Sequence, residues 1–279
     1  MGARSYQRPS ARALLSSRAM PTRARLRLLR SLARADARRA EGLYLVEGRR
    51  LVMEALLSRA PLTEIFVTAA FAAGEHGADL LAATETMQVS VESVPDKDLA
   101  ALADTKTPQG VVAVVRHVPS DLSILDRPGP GLFLALDGVA DPGNVGTLVR
   151  AADAFAVRAV IAGPGTADFA NPKVLRGAMG STFHLACVAV PDLPAALRRL
   201  RGSGAFVAAA TLDGTDAREL PPLPRRVALL LGNEARGVSA AARAEADTAV
   251  TIACPGRAES LNVALAGGIL LALLSGAAR

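Results

Sequence analysis

The sequence has few of the residues that build metal centres and disulfide frameworks. It contains two cysteines and three histidines, and none of them lies at the spacing of a metal-binding motif. Cys187 and Cys254 are far apart, so we expect both to be reduced thiols, as is typical of cytoplasmic proteins. The start of the chain shows no secretory leader with a long apolar core. We therefore expect a cytoplasmic protein without a bound metal ion.

The longest apolar run is too short to cross a membrane. It extends from Val263 to Leu274 and is interrupted by glycine, whereas a transmembrane helix needs about 20 apolar residues. Hydrophobic residues make up 51% of the chain, which excludes a disordered protein. The 279 residues are enough for one large or two ordinary domains. We expect a globular protein without a membrane partner.

Common nucleotide-binding and nucleophile motifs are also missing. A dinucleotide-binding fold carries G-x-G-x-x-G directly after its first strand. The nearest stretch, DPGNVG at 141–146, has a proline before its first glycine. The P-loop pattern is absent, and no serine lies in a nucleophile elbow. These absences disfavour a nucleotide-dependent enzyme of Rossmann type, which stays open as an alternative.

Lysine is scarce, and the net charge of +6 is carried almost wholly by arginine. Fourteen arginines lie between Arg4 and Arg59, against four acidic residues, while the rest of the chain is slightly acidic. Such a basic segment indicates a polyanionic partner, of which nucleic acid is the commonest. An organellar transit peptide is a minor alternative. Residues 1–21 are predicted to be flexible, and leucines at helical spacing predict one basic amphipathic helix from Thr22 to Ala40, whose arginines either contact RNA or are simply solvated.

Alternating strand and helix patterns predict two α/β domains. The first, at 22–117, has predicted strands at 43–47, 64–68, 89–91 and 111–115 and helices at 48–59, 75–83 and 96–103. A proline-containing linker follows at 118–131. The second domain, at 132–279, has predicted strands at 132–137, 159–163, 184–188, 205–212, 227–231 and 250–252 and helices at 172–179, 193–201 and 261–274. Its strands are apolar without alternation, which is typical of a parallel sheet buried on both faces.

Polar loops follow several strands of the second domain. GNEARG at 232–237 places an amide, a carboxylate and a guanidinium directly behind a strand. A helix follows the first strand, and we expect Asn144 to cap it and Arg150 to lie two turns in. Thr211 is expected to end the strand at 205–212. Ser260 and Asn262 are expected in the first turn of the final helix. Because open parallel sheets bind ligands at their C-terminal edge, these loops predict a ligand site, although two glycines alone would indicate only a tight turn.

Three stretches resemble the ordered motifs of the SpoU (TrmH) family, in the SPOUT class of RNA ribose 2'-O-methyltransferases. They are DPGNVGTLVRAADAF at 141–155, LGNEARGVS at 231–239 and AESLNVALAGGI at 258–269. GLYLVEGRRLVMEALL at 42–57 and LADTKTPQGVVAVV at 102–115 are similar to the ends of that family's substrate-binding domain. The resemblance covers roughly residues 22 to 275. Ala235 and Ala253 depart from the common glycine and proline, but neither position supplies a side chain to the chemistry.

The resemblance implies a knotted (trefoil) parallel-sheet SPOUT methyltransferase domain behind a small L30e-like α/β substrate-binding domain. It also implies S-adenosylmethionine as methyl donor, RNA as partner and a homodimer through the final helix, although a helix of the monomer core would have the same composition. The donor-binding residues that it implies are Thr211, Leu231, Gly232, Asn233, Gly237, Ile252 and Leu261. The catalytic residues that it implies are Arg150, Asn144, Glu234, Ser260 and Asn262.

Methyl transfer to a ribose 2'-OH requires alignment of the hydroxyl and removal of its proton. A guanidinium is a poor base, so we expect Arg150 to grip phosphate and stabilise the developing alkoxide rather than accept the proton, with Glu234 holding its guanidinium. The expected substrate is 23S rRNA. A transfer RNA methyltransferase and a non-catalytic RNA-binding or assembly factor stay open, although intact Arg150, Glu234 and Asn262 count against the latter.

Overall fold

The computed structural model describes residues 21–119 and 121–276. The residues fall into two compact units that meet in sequence between Val118 and Pro119. Most of the segment predicted to be flexible, residues 1–20, lies outside the described residues. In the described ranges no helix is both long and apolar enough to span a membrane, and no group of three or more His, Cys, Asp or Glu side chains could hold a metal ion.

The first unit contains a mixed four-stranded sheet in the order β1–β4–β2–β3. Strand β4 is antiparallel to both neighbours, and β2 is parallel to β3. The predicted strands and helices are present within a few residues of their expected bounds, and the short helix α4 is an addition. The elements are α1 (Arg23–Ser31), α2 (Ala35–Glu41), β1 (Leu43–Glu47), α3 (Arg49–Leu57), β2 (Leu62–Val67), α4 (Ala69–Ala73), α5 (Glu75–Met87), β3 (Ser90–Ser93), α6 (Asp96–Ala100) and β4 (Val111–Arg116).

The prediction of one continuous helix from Thr22 to Ala40 is wrong. The chain forms two helices, α1 and α2, because the first helix ends at Ser31, with Leu32 as its C-cap. Arg38 of the second helix is 6% exposed, and its Nη1 donates hydrogen bonds to the carbonyl oxygens of Leu32 and Ala33, both at 3.0 Å. Carbonyls at a helix end lack intrahelical donors, so the buried guanidinium satisfies them and stabilises the break.

The segment predicted as a linker contains a short 3-10 helix, Leu122–Leu125, that belongs to the second unit. Leu125 is fully buried in a core cluster of that unit. Arg226 donates from its guanidinium to the carbonyl oxygens of Leu125, Arg127 and Gly129 at 2.7, 2.7 and 3.1 Å, and it stacks 4.7 Å from the ring centroid of Phe133. The carbonyl groups of this proline-rich stretch therefore find donors within the second unit.

The second unit is an entirely parallel six-stranded sheet in the order β10–β8–β9–β5–β6–β7. The predicted α/β class with a parallel sheet is confirmed, whereas the trefoil knot stays a prediction. Its elements are β5 (Gly131–Asp137), α7 (Pro142–Ala154), β6 (Val157–Ala162), α8 (Pro172–Ala178), β7 (Ala186–Ala189), α9 (Leu193–Gly202), β8 (Phe206–Asp216), β9 (Arg226–Gly232), α10 (Ala240–Arg243), β10 (Thr248–Thr251) and α11 (Val263–Ser275).

Helices cover both faces of this sheet, which explains the continuous apolar strands. Leu134 of β5 points into a cluster with side chains of α7, α8 and α11. Phe133, its neighbour, points into the opposite cluster with α9 and α10. Gly146 and Gly177 let α7 and α8 approach closely, since a Cβ added to Gly146 would lie 2.7 Å from the Val174 carbonyl oxygen.

Three predicted boundaries in this unit are wrong. Helix α7 is capped by Asp141, whose carboxylate accepts from the Asn144 amide at 2.9 Å, and Asn144 lies within the first turn. Proline at position 142 suits the first helical residue. The cap is therefore the residue directly before it, three residues ahead of Asn144. Helix α11 begins at Val263 with Asn262 as its cap, which leaves Ser260 outside the helix. Asparagine is a strong capping residue, whereas Leu261 offers no acceptor.

Strand β8 does not end at Thr211 but continues to Asp216. Its pairing with β10 jumps from Ala209 to Thr215, so residues 210–214 are bypassed by the partner strand. Gly214 permits this rejoining because a Cβ there would lie 2.5 Å from the Val250 amide nitrogen. Periodicity in the sequence carries no signal for such an excursion.

Candidate functional site

The C-terminal ends of adjacent parallel strands bring the predicted loops to one edge of the second unit. Asp137 at the end of β5 is in register with Gly232 at the end of β9. On the other side of β9, Ala209 of β8 pairs with Leu230 and also with Ala249 of β10. The chain leaving each strand therefore reaches the same edge, which is where open parallel sheets bind ligands.

The loop after β9 is a rigid turn. The amides and carbonyls of Asn233 and Gly237 are paired in both directions, at 3.0 and 2.8 Å, and Gly237 has a φ of +67°. The Asn233 side chain accepts from the amides of Ala235 and Arg236, both at 3.1 Å, and donates to the Gly138 carbonyl oxygen at 2.8 Å. The turn is thus tied both to itself and to the loop after β5.

Gly232 is required by this turn. A Cβ added to it would lie 2.1 Å from the Gly237 carbonyl carbon and from the Val238 nitrogen. These are backbone atoms that cannot rotate away, so any side chain at position 232 must displace the turn. The expectation that glycine allows a close backbone approach is therefore supported at this position.

A chain of side-chain hydrogen bonds connects the three motif loops. Asn144 of α7 donates from Nδ2 to Glu234 Oε1 at 2.9 Å. The Nδ2 of Asn262 donates in turn to Asn144 Oδ1 at 3.0 Å. The Oδ1 of Asn262 accepts from the amides of Ala264 and Leu265 as the cap of α11. Three of the predicted catalytic residues are thus joined across 118 residues of sequence.

Glu234 is the acceptor at one end of this chain. Besides Asn144, its carboxylate accepts from the Ala140 and Asp141 amides at 3.2 and 3.1 Å and from Asn233 Nδ2 at 3.4 Å. Partial burial raises the pKa of Glu234, but the hydrogen bonds from Asn144 and the backbone amides outweigh burial, and the net shift is downward. A carboxylate so held is ionised at neutral pH and is a poor proton acceptor.

The expectation that Glu234 holds the Arg150 guanidinium is wrong, because its oxygens are directed at amide donors instead. Arg150 is exposed, and within the described residues it has no hydrogen bond or ion pair. It follows Asn144 by six residues, which at 1.5 Å per residue is about 9 Å along α7 and about 240° around it. Ser260 is also exposed and lies in the open loop at 253–260. The structure joins neither residue to the hydrogen-bonded chain.

The predicted donor-binding residues lie at the ends of three adjacent strands. Gly232 ends β9, Ile252 follows β10, and Thr211 lies within β8, two residues beyond the last residue that pairs with β9. The Thr211 Oγ1 is buried, and after Arg243 it helps to lower the pKa of the neighbouring Asp213 carboxyl. Ile252 and Leu261 are half-buried and flank the exposed loop. A buried hydroxyl and partly covered aliphatic side chains beside an exposed loop fit a nucleoside-like group.

Three predicted donor residues have other contacts. Leu231 is buried and faces α11, where a Cβ on Gly267 would lie 2.6 Å from its Cδ1. Any contact of Leu231 with a ligand would therefore use its backbone. Gly237 and Asn233 shape the turn rather than line a surface beside it.

Comparisons with known proteins agree with this geometry. The sequence model of the SpoU rRNA Methylase family matches residues 131–272, and that of the RNA 2'-O ribose methyltransferase substrate-binding domain matches residues 45–120. The chain belongs to the SpoU family. Its resemblance to that family in sequence motifs is thereby confirmed, and the strand-end loops coincide with the matched region.

Curated relatives in this family are methyltransferases. The chain is 37% identical over 234 residues, 84% of this chain and 88% of the relative, to the 23S rRNA (guanosine(2553)-2'-O)-methyltransferase RlmP of Bacillus subtilis. It is 34% identical over 197 residues to the 23S rRNA (guanosine-2'-O-)-methyltransferase RlmB of Ralstonia nicotianae, which is 69% of this chain and 79% of the relative.

Two solved structures that resemble this chain in fold contain AdoMet. The SpoU methyltransferase AviRb from Streptomyces viridochromogenes, in complex with the cofactor AdoMet, has a TM-score of 0.80 and 27% identity and aligns with 91% of this chain and 98% of its own. The AdoMet-bound rRNA methyltransferase from Sinorhizobium meliloti has a TM-score of 0.79 and 28% identity, with coverage of 91% and 95%.

Two residues that shape the site are not among the predicted ones. Asp141 caps α7, and Asp137 accepts from the Ser239 amide at 2.7 Å, which ties the end of β5 to the loop after β9. An aspartate directly before a proline at the start of a helical pattern could have identified the first. The second depends on strand order and has no sequence signal.

Proposed function

We propose that this protein transfers a methyl group from S-adenosylmethionine to a ribose 2'-OH in 23S rRNA. The observation that carries the proposal is the hydrogen-bonded chain Glu234–Asn144–Asn262, which joins the three family motifs at the sheet edge. The AdoMet-bound neighbours and the named activities of RlmP and RlmB support the donor and the substrate class.

The donor would be held at the ends of β8, β9 and β10. The backbone at Gly232 and Ile252 would bind the adenine edge, Leu261 would cover the ring, and the buried Thr211 hydroxyl would lie beside them. When bound, S-adenosylmethionine supplies a methyl group already activated by its sulfonium charge. The protein therefore needs only to orient the hydroxyl, exclude competing water and stabilise the charge that forms on oxygen.

Arg150 is our candidate for stabilising that charge. Its guanidinium is exposed and unpaired within the described residues, so it is available to grip phosphate and the developing alkoxide, while the hydroxyl proton passes to phosphate or water. Glu234, Asn144 and Asn262 act as positioning residues that hold the three loops. Ser260, exposed beside Leu261, would contact the ribose.

A protein that acts on ribosomal RNA would work in the cytoplasm. Its substrate-binding domain would then have an anionic partner. A transfer RNA substrate stays the nearest alternative, followed by a non-catalytic RNA-binding role. The retained Arg150, Glu234 and Asn262 favour catalysis over that role.

The proposal is tested by donor binding and then by methyl transfer. S-adenosylmethionine should raise the melting temperature, whereas NAD and ATP should not. With labelled donor, unmodified 23S rRNA should acquire label at one position that resists alkaline cleavage, as a 2'-O-methyl group does. Label on transfer RNA instead would change the assigned substrate from ribosomal to transfer RNA. Binding of S-adenosylmethionine without methyl transfer to any RNA would contradict the enzyme assignment.

We also propose a homodimer through α11. One face of this helix packs in the core through Gly267, Leu270, Leu271 and Leu274, yet Leu265 and Leu273 on another face are 55% and 42% exposed. Exposed leucines on an otherwise apolar helix are typical of an interface between subunits.

Leu273→Glu should therefore convert the dimer to a monomer, because a desolvated carboxylate in an apolar interface lacks a partner. Sedimentation velocity measures the outcome. Leu57→Glu, at a residue 69% exposed on the first unit, is the matched control and should leave the dimer intact. A wild-type protein that sediments as a monomer contradicts the proposal directly.

A further inference from the structure

Helix α1 separates its apolar and basic residues. Leu26 and Leu29 are buried against the sheet of the first unit, in a cluster with Phe66 and Val112. At about 100° per residue, Arg23, Arg27 and Arg30 lie within about 60° of one another on a solvent face. All three arginines are exposed.

Other arginines of this region hold the helices in place. Arg25 forms a two-point ion pair with Glu64 of β2, with Nε 3.3 Å from one carboxylate oxygen. Arg38 is buried and donates to the carbonyls that end α1. Both guanidiniums are engaged within the fold and are not available to a partner.

Arg23 and Arg27 differ from these anchoring residues. Within the described residues neither has a hydrogen bond or an ion pair, and Arg30 has only a 3.5 Å contact with Asp98. The rise of the helix spaces Arg23 and Arg30 by about 10 Å, so the three side chains can reach phosphates of neighbouring nucleotides. Within the described residues the charges of Arg23 and Arg27 are therefore not compensated, and that of Arg30 is only weakly compensated by Asp98.

We propose that the α1 basic face, formed by Arg23, Arg27 and Arg30, binds the phosphate backbone of the substrate RNA. The face lies before residues 45–120, which the substrate-binding family model matches, so it extends RNA contact beyond that domain match. The inference rests on the proposed function for the identity of the polyanion. It separates arginines that contact RNA from those that stabilise the fold.

The test is the salt dependence of RNA binding by the full chain. Filter binding to a 23S rRNA transcript is measured for Arg23→Gln/Arg27→Gln from about 50 to about 200 mM salt. Each lost phosphate contact lowers the slope of log K against log salt by about 0.7 to 0.9, so the double variant should lose about 1.4 to 1.8. Arg23→Lys/Arg27→Lys should retain most of the slope because the charge is kept.

The matched control is Arg198→Gln/Arg201→Gln in the second unit, with the same charge change at residues paired to Glu245 and Asp247. Equal slopes for the test and control variants, or an unchanged slope in the test variant, overturn the proposal. Deletion of residues 1–40 is unsuitable because it removes Leu26 and Leu29 from the core. Methyl transfer by the wild type on the same transcript tests the proposed function separately, so the two failures are distinguishable.

Discussion

Arg150→Ala is expected to lower single-turnover methylation by at least about a hundredfold, the scale of a lost transition-state charge contact. The substitution should leave the fold nearly unchanged, since Arg150 is exposed and within the described residues supports no other side chain. Donor affinity should also be preserved, because the proposed donor residues lie on other loops. The measurement uses saturating donor and RNA, so that neither binding step limits the rate.

Arg150→Lys separates charge from geometry. Lysine keeps the positive charge but lacks the planar fork that can contact two oxygens at once, so it should restore little activity. Arg158→Ala serves as the control, since in the part of the chain that the structure describes its guanidinium donates only to the carbonyls of Pro128 and Pro130, away from the sheet edge that carries the motifs. Near-normal turnover by Arg150→Ala would assign the catalytic role to another group.

Gly232→Val is expected to abolish donor binding and to lower the melting temperature. The added Cβ would lie 2.1 Å from backbone atoms of Gly237 and Val238, so the turn after β9 must move. That turn carries Glu234 and, through it, the contact with Asn144. Overpacking of this kind costs about 1 to 3 kcal/mol, with larger values where backbone must shift.

RNA affinity serves as the internal control for Gly232→Val, because the first unit and its basic residues are untouched. Gly202→Val is the matched substitution, since a Cβ there meets nothing within 4 Å. Gly232→Ala adds only the Cβ atom and is therefore the smallest substitution that tests the same contact. Isothermal titration with S-adenosylmethionine that gives wild-type affinity for Gly232→Ala would contradict the assigned position of the donor.

Much of the architecture follows from local sequence signals. Uninterrupted apolar runs such as Val227–Leu231 predicted buried parallel strands, and helices pack on both sides of them. Glycine at 232 predicted a close backbone approach, which the Gly232–Gly237 contact supports. These features depend on a few neighbouring residues and so leave a readable pattern.

Other features depend on contacts between distant residues. The break at Leu32 is stabilised by Arg38, a buried arginine that composition alone would place in solvent. Glu234 was expected to bind Arg150, but strand order places it against the amides of Ala140 and Asp141 instead. Asn144 could not be recognised as a bridge, since its partners are 90 and 118 residues away.

That separation in sequence has a consequence for the order of events during folding. The bonds between Asn144 and Glu234 and between Asn262 and Asn144 close long loops. Closing a long loop costs conformational entropy before the contact at its ends can stabilise the chain. Residue 262 also leaves the ribosome more than a hundred residues after residue 144. The hydrogen-bonded chain Glu234–Asn144–Asn262 therefore cannot form on a nascent chain that lacks residue 262, so the three motif loops are joined only late in folding.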